Sequence, residues 1–291
     1  MKTYLDCLPC LLSQAIKAVR VATDDDAVQR QVVNAMSRMI PELPLELKPP
    51  EIAQCGYRLI GQITGKSDLF HQAKTEANCA ALAIYPRLQL LVQQSADRLF
   101  TACKLAIAGN SIDMGPKFEY GNIESVIEAA VACPLPLAVN NYDQFWSSLS
   151  NCRNLLYLGD NAGEIVFDRL LIEEINRVKK LDICFVVRGR PVINDITVDD
   201  ALAVGMDKVA RIVSNGSDAP ATILSECSTE LRLLYQSADL IIAKGQENYE
   251  SLEDEAGNIF FLLRAKCPLV ARSLGVSVGD CILKRQVHLS K

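Results

Sequence analysis

The chain has 291 residues, 49% of them hydrophobic, with a mean hydropathy of +0.13 and a formal net charge of −5. That length carries one large domain or two unequal ones around a substantial core, and mixed charges with a slight acidic excess argue against nucleic acid as the main partner. No stretch reaches the roughly 18 uninterrupted apolar residues of a membrane span; the opening "MKTYLDCLPCLLSQ" carries an acid at Asp6 and lacks an apolar core, a poor signal peptide that predicts a cytoplasmic protein.

The first 130 residues read as helices. "LLSQAIKAVRVAT" has apolar residues at three- and four-residue spacing. "DDDAVQRQVVNAMSRMI" opens on acids, which suit a helix N-terminus. "PPEIAQCGYRLIGQI" starts after prolines, and "SDLFHQAKTEANCAALAIYPRLQLLVQQ" is a fourth helix that Pro86 is expected to kink or divide. "DRLFTACKLAIAGNSID" is a fifth, ending near Gly109. The pattern then changes to short apolar runs: "PLAVN", "NLLYLG", "DICFVVRG", "VARIVSN", "DLIIAKG" and "NIFFLLRA". Amphipathic stretches such as "GEIVFDRLLIEEINRVKK" and "PATILSECSTELRLLYQSA" lie between them. The alternation predicts an α/β fold, a mostly parallel sheet with helices on both faces. The soft boundary divides the chain into a helical domain, 1–130, and an α/β domain, 131–291.

The eleven cysteines are an odd, scattered set, expected to be mostly buried thiols in a reducing compartment. Only Cys7 and Cys10 have ligand-like spacing. They are two buried thiols, half of a second metal site or a redox pair, with Cys267 a third candidate participant.

Ligands of an open parallel sheet bind beyond the carboxyl ends of its strands. Asp160 and Asn161 follow the strand "LLYLG". Arg188 follows "CFVV", with Asn194 and Asp195 a few residues on; Ser214 to Asp218 follow "ARIV", and Lys244, Gly245 and Asn248 follow "LIIA". Oxygen ligands such as Asp and Asn suit a hard cation, Mg²⁺ or Mn²⁺. Arg188 and Lys244 suit a phosphate, as does the N-terminus of the helix beginning near Gly163. Each feature has a plainer alternative: Asp160 and the Asn194–Asp195 pair could be helix caps, and Lys244 an ordinary loop residue. Their joint occurrence at successive strand ends favours a phosphate-handling site. The sequence has no phosphate-binding G-x-x-x-x-G-K-[ST] loop, no G-x-G-x-x-G fingerprint and no G-x-S-x-G elbow.

"LGDNAGEIVFD", "PVINDIT", "AKGQENYESL" and "AGNSIDMG" together resemble the motifs of the domain of unknown function 89 family, the metal-dependent damage-control phosphatases. The opening "CLPC" resembles its prokaryotic subfamily with an N-terminal Cys-x-x-Cys. The resemblance implies a helical domain packed on a Rossmann-like α/β domain with the site between them. It implies that Asp160, Asn161 and Asp195 bind a divalent cation, Mn²⁺ or Mg²⁺ with Co²⁺ or Ni²⁺ as alternatives. It makes Asp160, Asp195 and Lys244 catalytic, Lys244 holding the phosphate. Asn110 and Asp113 would reach the cleft from the helical side, Arg188 and Asn248 would contact substrate, and Ser214 opens a lower-ranked loop. The expected activity is hydrolysis of a small phosphorylated metabolite, by metal-bound water or through an aspartyl phosphate on Asp160. The alternatives are an S-adenosylmethionine-dependent methyltransferase, in which Lys244 and Asp195 lack a purpose, and a non-catalytic metal- or ligand-binding protein centred on Cys7 and Cys10.

Overall fold

The structure, a computed structural model, describes residues 1–111 and 136–288. The expected domain boundary at 130 and the site candidate Asp113 lie outside the described residues. The N-terminal helices are α1 (Cys7–Ala22), α2 (Asp26–Met39), α3 (Pro49–Thr64), α4 (His71–Gln94) and α5 (Arg98–Gly109). Their ends follow local chemistry. The Asp25 side chain caps α2 by accepting from the Ala27 and Val28 N–H groups. Prolines open α3, where no N–H is needed, and Gly65 at φ +67° closes it. α4 runs through Pro86 as one element, so the proline does not divide it. α1 to α3 bury Leu11, Val19, Val32, Met36, Ile52 and Ile60 in a core of their own.

The sheet has seven strands: β1 (Leu137–Asn140), β2 (Asn154–Leu158), β3 (Asp182–Val187), β4 (Arg211–Ser214), β5 (Leu240–Lys244), β6 (Gly257–Arg264) and β7 (Cys281–His288). Their order is β1-β7-β6-β5-β2-β3-β4. β6-β5-β2-β3-β4 are parallel, while β7 runs antiparallel to β6. The helices between strands are α6 (Tyr142–Asn151), α7 (Glu164–Val178), α8 (Val198–Ala203), α9 (Thr229–Ser237), α10 (Gly245–Leu252) and α11 (Pro268–Leu274). The central strands are continuous apolar runs because both faces are covered. Leu155, Tyr157 and Phe185 pack with α5, α6 and α7. Leu156, Leu158 and Val186 point the other way, into the core with α9, α10 and α11. Among the described residues no helix is long and apolar enough to cross a membrane.

Two expectations are corrected. "PATILSECSTELRLLYQSA" is helical only from Thr229, where Ser228 caps α9 by accepting from the Leu231 N–H at 3.2 Å. β7, "CILKRQVH", was not among the expected strands, since Lys284 and Arg285 break its apolar run after Leu283.

Strand order fixes where a ligand can sit. The chain goes outward from β2 to β3 and β4, then returns to β5 on the other side of β2. The crevice at the carboxyl ends of β2 and β5 is therefore the topological switch point. The helical region is tied to this edge by polar contacts: Lys48 Nζ donates to Ser251 O (2.5 Å), Arg58 to both oxygens of Asp218 (2.6 and 2.9 Å), Lys74 to Asp200 (3.1 Å), and Asn78 Oδ1 accepts from the Gly163 N–H (2.7 Å).

The N-terminus docks on α10, with the Met1 ammonium donating to Glu250 O at 2.7 Å. The Glu250 side chain is buried and accepts from Gln246 Nε2 at 3.0 Å. Burial pushes its pKa up to about 7, against the lowering influence of Gln246 and the N-terminal ammonium. A folded-state pKa above the unfolded value of about 4.3 means that the carboxyl's contribution to stability is complete below that value. It is lost as pH rises through 7. Glu250→Gln should therefore melt with the parent near pH 4 and increasingly above it by pH 8 in thermal scans; a pH-independent difference would contradict this.

Candidate active site

Gly159 and Asp160 follow β2 directly. A Cβ on Gly159 would lie 2.5 Å from Ile196 Cδ1, so only glycine lets this turn pass beneath the loop after β3. Asp160 is 3% exposed and caps nothing; α7 starts at Gly163 without a side-chain cap. The Asp160 Oδ2 atom accepts from Asn161 Nδ2 (2.8 Å) and Asn110 Nδ2 (3.1 Å), while Oδ1 has no hydrogen-bond partner. Asn194 and Asp195 are not caps either. α8 is capped by Thr197, in a reciprocal box with Asp200. Instead, Asp195 forms an isolated bridge with Asn161, and the Ala162 N–H donates to Asn194 O at 2.9 Å.

These placements create one centre. Carboxylate oxygens of Asp160, Asp195 and Glu247 all lie within 4.8 Å of one another, the only such group of His, Cys, Asp or Glu among the described residues. Burial, then Glu164, then Asp195, pushes the Asp160 carboxyl well above the ordinary carboxylate range, against Lys266 and Arg188. Acids crowded together in a buried space call for a cation. The donor set fits a hard one: carboxylates, an orphaned carboxylate oxygen on Asp160, and the amide oxygen of Asn161, whose Nδ2 is engaged by Asp160 and Glu164.

Arg188, 1% exposed, stands beside this group. Its Nε donates to Asp195 Oδ2 at 2.6 Å, and Nη2 lies 3.9 Å from Asp160 Oδ1. Neither Nη1 nor Nη2 has a hydrogen-bond partner. A buried guanidinium with one nitrogen anchored and two unsatisfied can receive anionic oxygens in a fixed orientation.

Lys244 sits differently from its expected place. It is fully buried and its three donors are engaged, by Glu164 Oε1 (2.5 Å), Asp168 Oδ1 (2.7 Å) and Ala106 O (2.8 Å). Burial works to lower its pKa, and Asp168 and Glu164 outweigh that and raise it. Burial first, opposed by Lys244, brings Asp168 to about 6; the Tyr157 hydroxyl also donates to it, at 2.7 Å. The ammonium therefore neutralises the acids beneath the site. The expected helix N-terminus is occupied as well: the N–H groups of Ala162, Gly163, Ile165 and Val166 are each bonded within the protein.

Other candidates are placed as follows. Asn110 reaches the centre, donating to Asp160 and Glu164 (2.9 Å) and accepting from the Arg264 N–H. Asn248 braces the two switch-point loops: its Nδ2 donates to Gly159 O and Lys244 O, and its Oδ1 accepts from the Thr222 N–H. Ser214 Oγ accepts from the Gly216 N–H in a turn. Cys7 and Cys10 lie in the first turn of α1, their thiols pushed up first by burial and also by the nearby Cys267; the three sulfurs do not form a close ligand group. Four residues absent from the sequence expectation belong to the centre or its support: Glu164, Asp168, Glu247 and Asn78.

Gly245 makes close approach possible. Its φ is +77°, and a Cβ there would fall 1.8 Å from Asp160 Oδ2. Gly245→Ala should displace the Asp160 carboxylate and weaken Mn²⁺ binding by roughly tenfold or more with the far-ultraviolet dichroism unchanged. Unaltered affinity in a calorimetric titration would contradict the packing.

Fold and centre together define a class: an α/β protein with an acidic cluster able to hold a metal ion, beside a buried arginine, at the switch point of its sheet. Over residues 3–282 the chain matches the damage-control phosphatase ARMT1-like domain, and it belongs to that family. It is 36% identical over 292 residues to a damage-control phosphatase of Archaeoglobus fulgidus, covering 98% of this chain and 99% of that one. It is 31% identical over 287 residues to a damage-control phosphatase of Pyrococcus horikoshii, covering 98% of each. The crystal structure of a domain of unknown function 89 family protein from P. horikoshii superposes with a TM-score of 0.88 at 29% identity, covering 98% of this chain and 99% of that one. The family read from the motifs is thus the family found, and it sets aside the methyltransferase alternative.

Proposed function

We propose that the chain is a divalent-cation-dependent phosphatase acting on a small phosphate monoester, with Asp160, Asn161 and Asp195 as cation ligands and Glu247 beside them. The observation that carries this reading is the triangle of oxygens from the buried Asp160 and Asp195 and the half-buried Glu247, with the unsatisfied Arg188 nitrogens alongside. A bound Mn²⁺ or Mg²⁺ would polarise a phosphoryl oxygen and favour ionisation of a water.

The chain's own residues do the rest. Arg188 Nη1 and Nη2 take phosphoryl oxygens and stabilise the charge that grows on them, the part first expected of Lys244. Asn110 and Glu164 fix the Asp160 carboxylate and the Asn161 amide, leaving Asp160 Oδ1 free to act. Lys244 holds Glu164 and keeps the layer beneath from repelling the ligands. The orphaned Oδ1 serves equally a ligand role and attack on phosphorus, and trapping with a phosphate mimic separates the two. The reading retains the prokaryotic subfamily marked by Cys7 and Cys10 and a cytoplasmic location, in keeping with the ten free cysteines described.

The test is phosphate release from an aryl phosphate by purified protein with Mn²⁺ or Mg²⁺, and again in excess chelator. Turnover that needs the cation supports the reading; turnover indifferent to chelation overturns the cation's part, and no turnover on any phosphate monoester overturns the whole.

A further inference from the structure

The carboxyl edge holds a second feature, which the catalytic reading does not use. A cavity of about 640 Å³ opens between α3, residues 65–70 and residues 190–193, lined by Tyr57, Arg58, Lys66, Phe70, Arg190 and Ile193 among others. A neighbouring cavity of about 300 Å³ shares Arg58, Arg190 and Asp218 with it. None of Asp160, Asp195 and Glu247 lines either one.

One loop joins this space to the centre. Arg188 and Asp195, at its two ends, are paired beside the acidic centre, and residues 190–193 between them wall the cavity. The loop is held under strain: Ile193 has φ +43°, the only positive φ of a non-glycine residue among those described. For a β-branched residue that conformation costs about 1–3 kcal/mol and persists only where the surroundings enforce it. Here they do. Ile193 packs on the helical core, the next carbonyl accepts from the Ala162 N–H, and the Asp195 N–H donates to Val192 O at 3.1 Å. The cavity wall is thus rigidly registered to the centre, and Arg190 is two residues from Arg188, at most about 7.6 Å away at Cα.

The charges lining the cavity are mostly satisfied. Arg58 is bound by Asp218, Lys66 Nζ donates to Ala22 O at 2.5 Å, and Asp68 pairs with Lys74 at 3.0 Å. Arg190 is exposed; its backbone N–H donates to Ser217 O, and no hydrogen bond or ion pair to its guanidinium is found among the described residues. It lines both cavities as a cation with no anion against it among the described residues.

We propose that this cavity receives the part of the substrate that is not hydrolysed and that Arg190 binds an anionic group on it, so that the preferred substrates are phosphate monoesters carrying a second phosphate or carboxylate. The proposal rests on the phosphatase reading. It is tested with α,ω-bisphosphates of propane to hexane against the alkyl monophosphates of the same lengths. In the parent, one length of bisphosphate should exceed its monophosphate by about tenfold or more in kcat/KM, carried by KM, as suits one charge-assisted contact. In Arg190→Ala that ratio should fall towards one, and Arg190→Lys should restore part of it. No preference at any length, or a preference that survives in Arg190→Ala, overturns the proposal while leaving the phosphatase reading intact. Calorimetry with butane-1,4-bisphosphonate on protein without added metal reads the same contact without turnover. Binding weakened in Arg190→Ala upholds the subsite even if no ester is hydrolysed, which would sink only the phosphatase reading. Equal binding, or none in the parent, overturns the subsite.

Discussion

Lys244→Met is expected to destabilise the protein by about 3–5 kcal/mol, the range for removing one partner of a buried ion pair. The ammonium contacts Glu164, Asp168 and Ala106 O, and all four residues are buried. Methionine fills similar space but leaves two buried acids without their cation. Asp168 already sits at about 6 with the lysine present. The thermal midpoint should drop on the order of 10 °C, and adding Asp168→Asn should recover part of the loss by removing one of the stranded charges. A lysine whose purpose is to grip phosphate behaves otherwise: its methionine variant would melt with the parent and lose rate alone. Thermal scans of the single and double variants separate the two roles.

Asp160→Asn is expected to give a folded protein that has lost cation binding and activity. The substitution keeps size and shape and can still accept from Asn110, so the turn after β2 has no reason to collapse. It also removes one of the acids packed against Asp195 and Glu164, so the metal-free variant should melt at or above the parent. On the proposed mechanism a bound cation would contribute several kcal/mol of charge stabilisation to the transferring phosphoryl group. At about 1.4 kcal/mol per factor of ten, the rate of phosphate release should fall roughly 10³-fold. A variant that keeps its rate would leave Asp160 without a part in the reaction.

The sheet was largely legible because its central strands are buried on both faces and read as unbroken apolar runs, as in "LLYL" and "LIIA". β7 was not, since its later half carries Lys284, Arg285 and Gln286 and the pairing with β6 that makes it a strand is distant in the chain. Asp160, Asn161, Arg188, Asp195 and Lys244 could be found because a parallel sheet gathers whatever follows its strands. That acids engage Lys244 while the Arg188 Nη atoms have no hydrogen-bond partner could not be found. That depends on Asp168, one turn beyond Glu164 on the inner face of α7, where the two acids together capture Lys244. Glu164 and Glu247 were hidden in the first turns of α7 and α10, where an acid is ordinary complement to the helix dipole. Asn78 lies mid-helix in α4, and only the packing of that helix on Gly163 gives it a part.

The centre itself is tested most directly by titrating Mn²⁺ into metal-free parent and metal-free Asp160→Asn in a calorimeter, under identical buffer. The account predicts saturable binding in the parent at a single site per chain and no measurable heat of binding in the variant, with both proteins folded by circular dichroism. Equal affinity in the two, or a parent that binds no divalent cation, would contradict it.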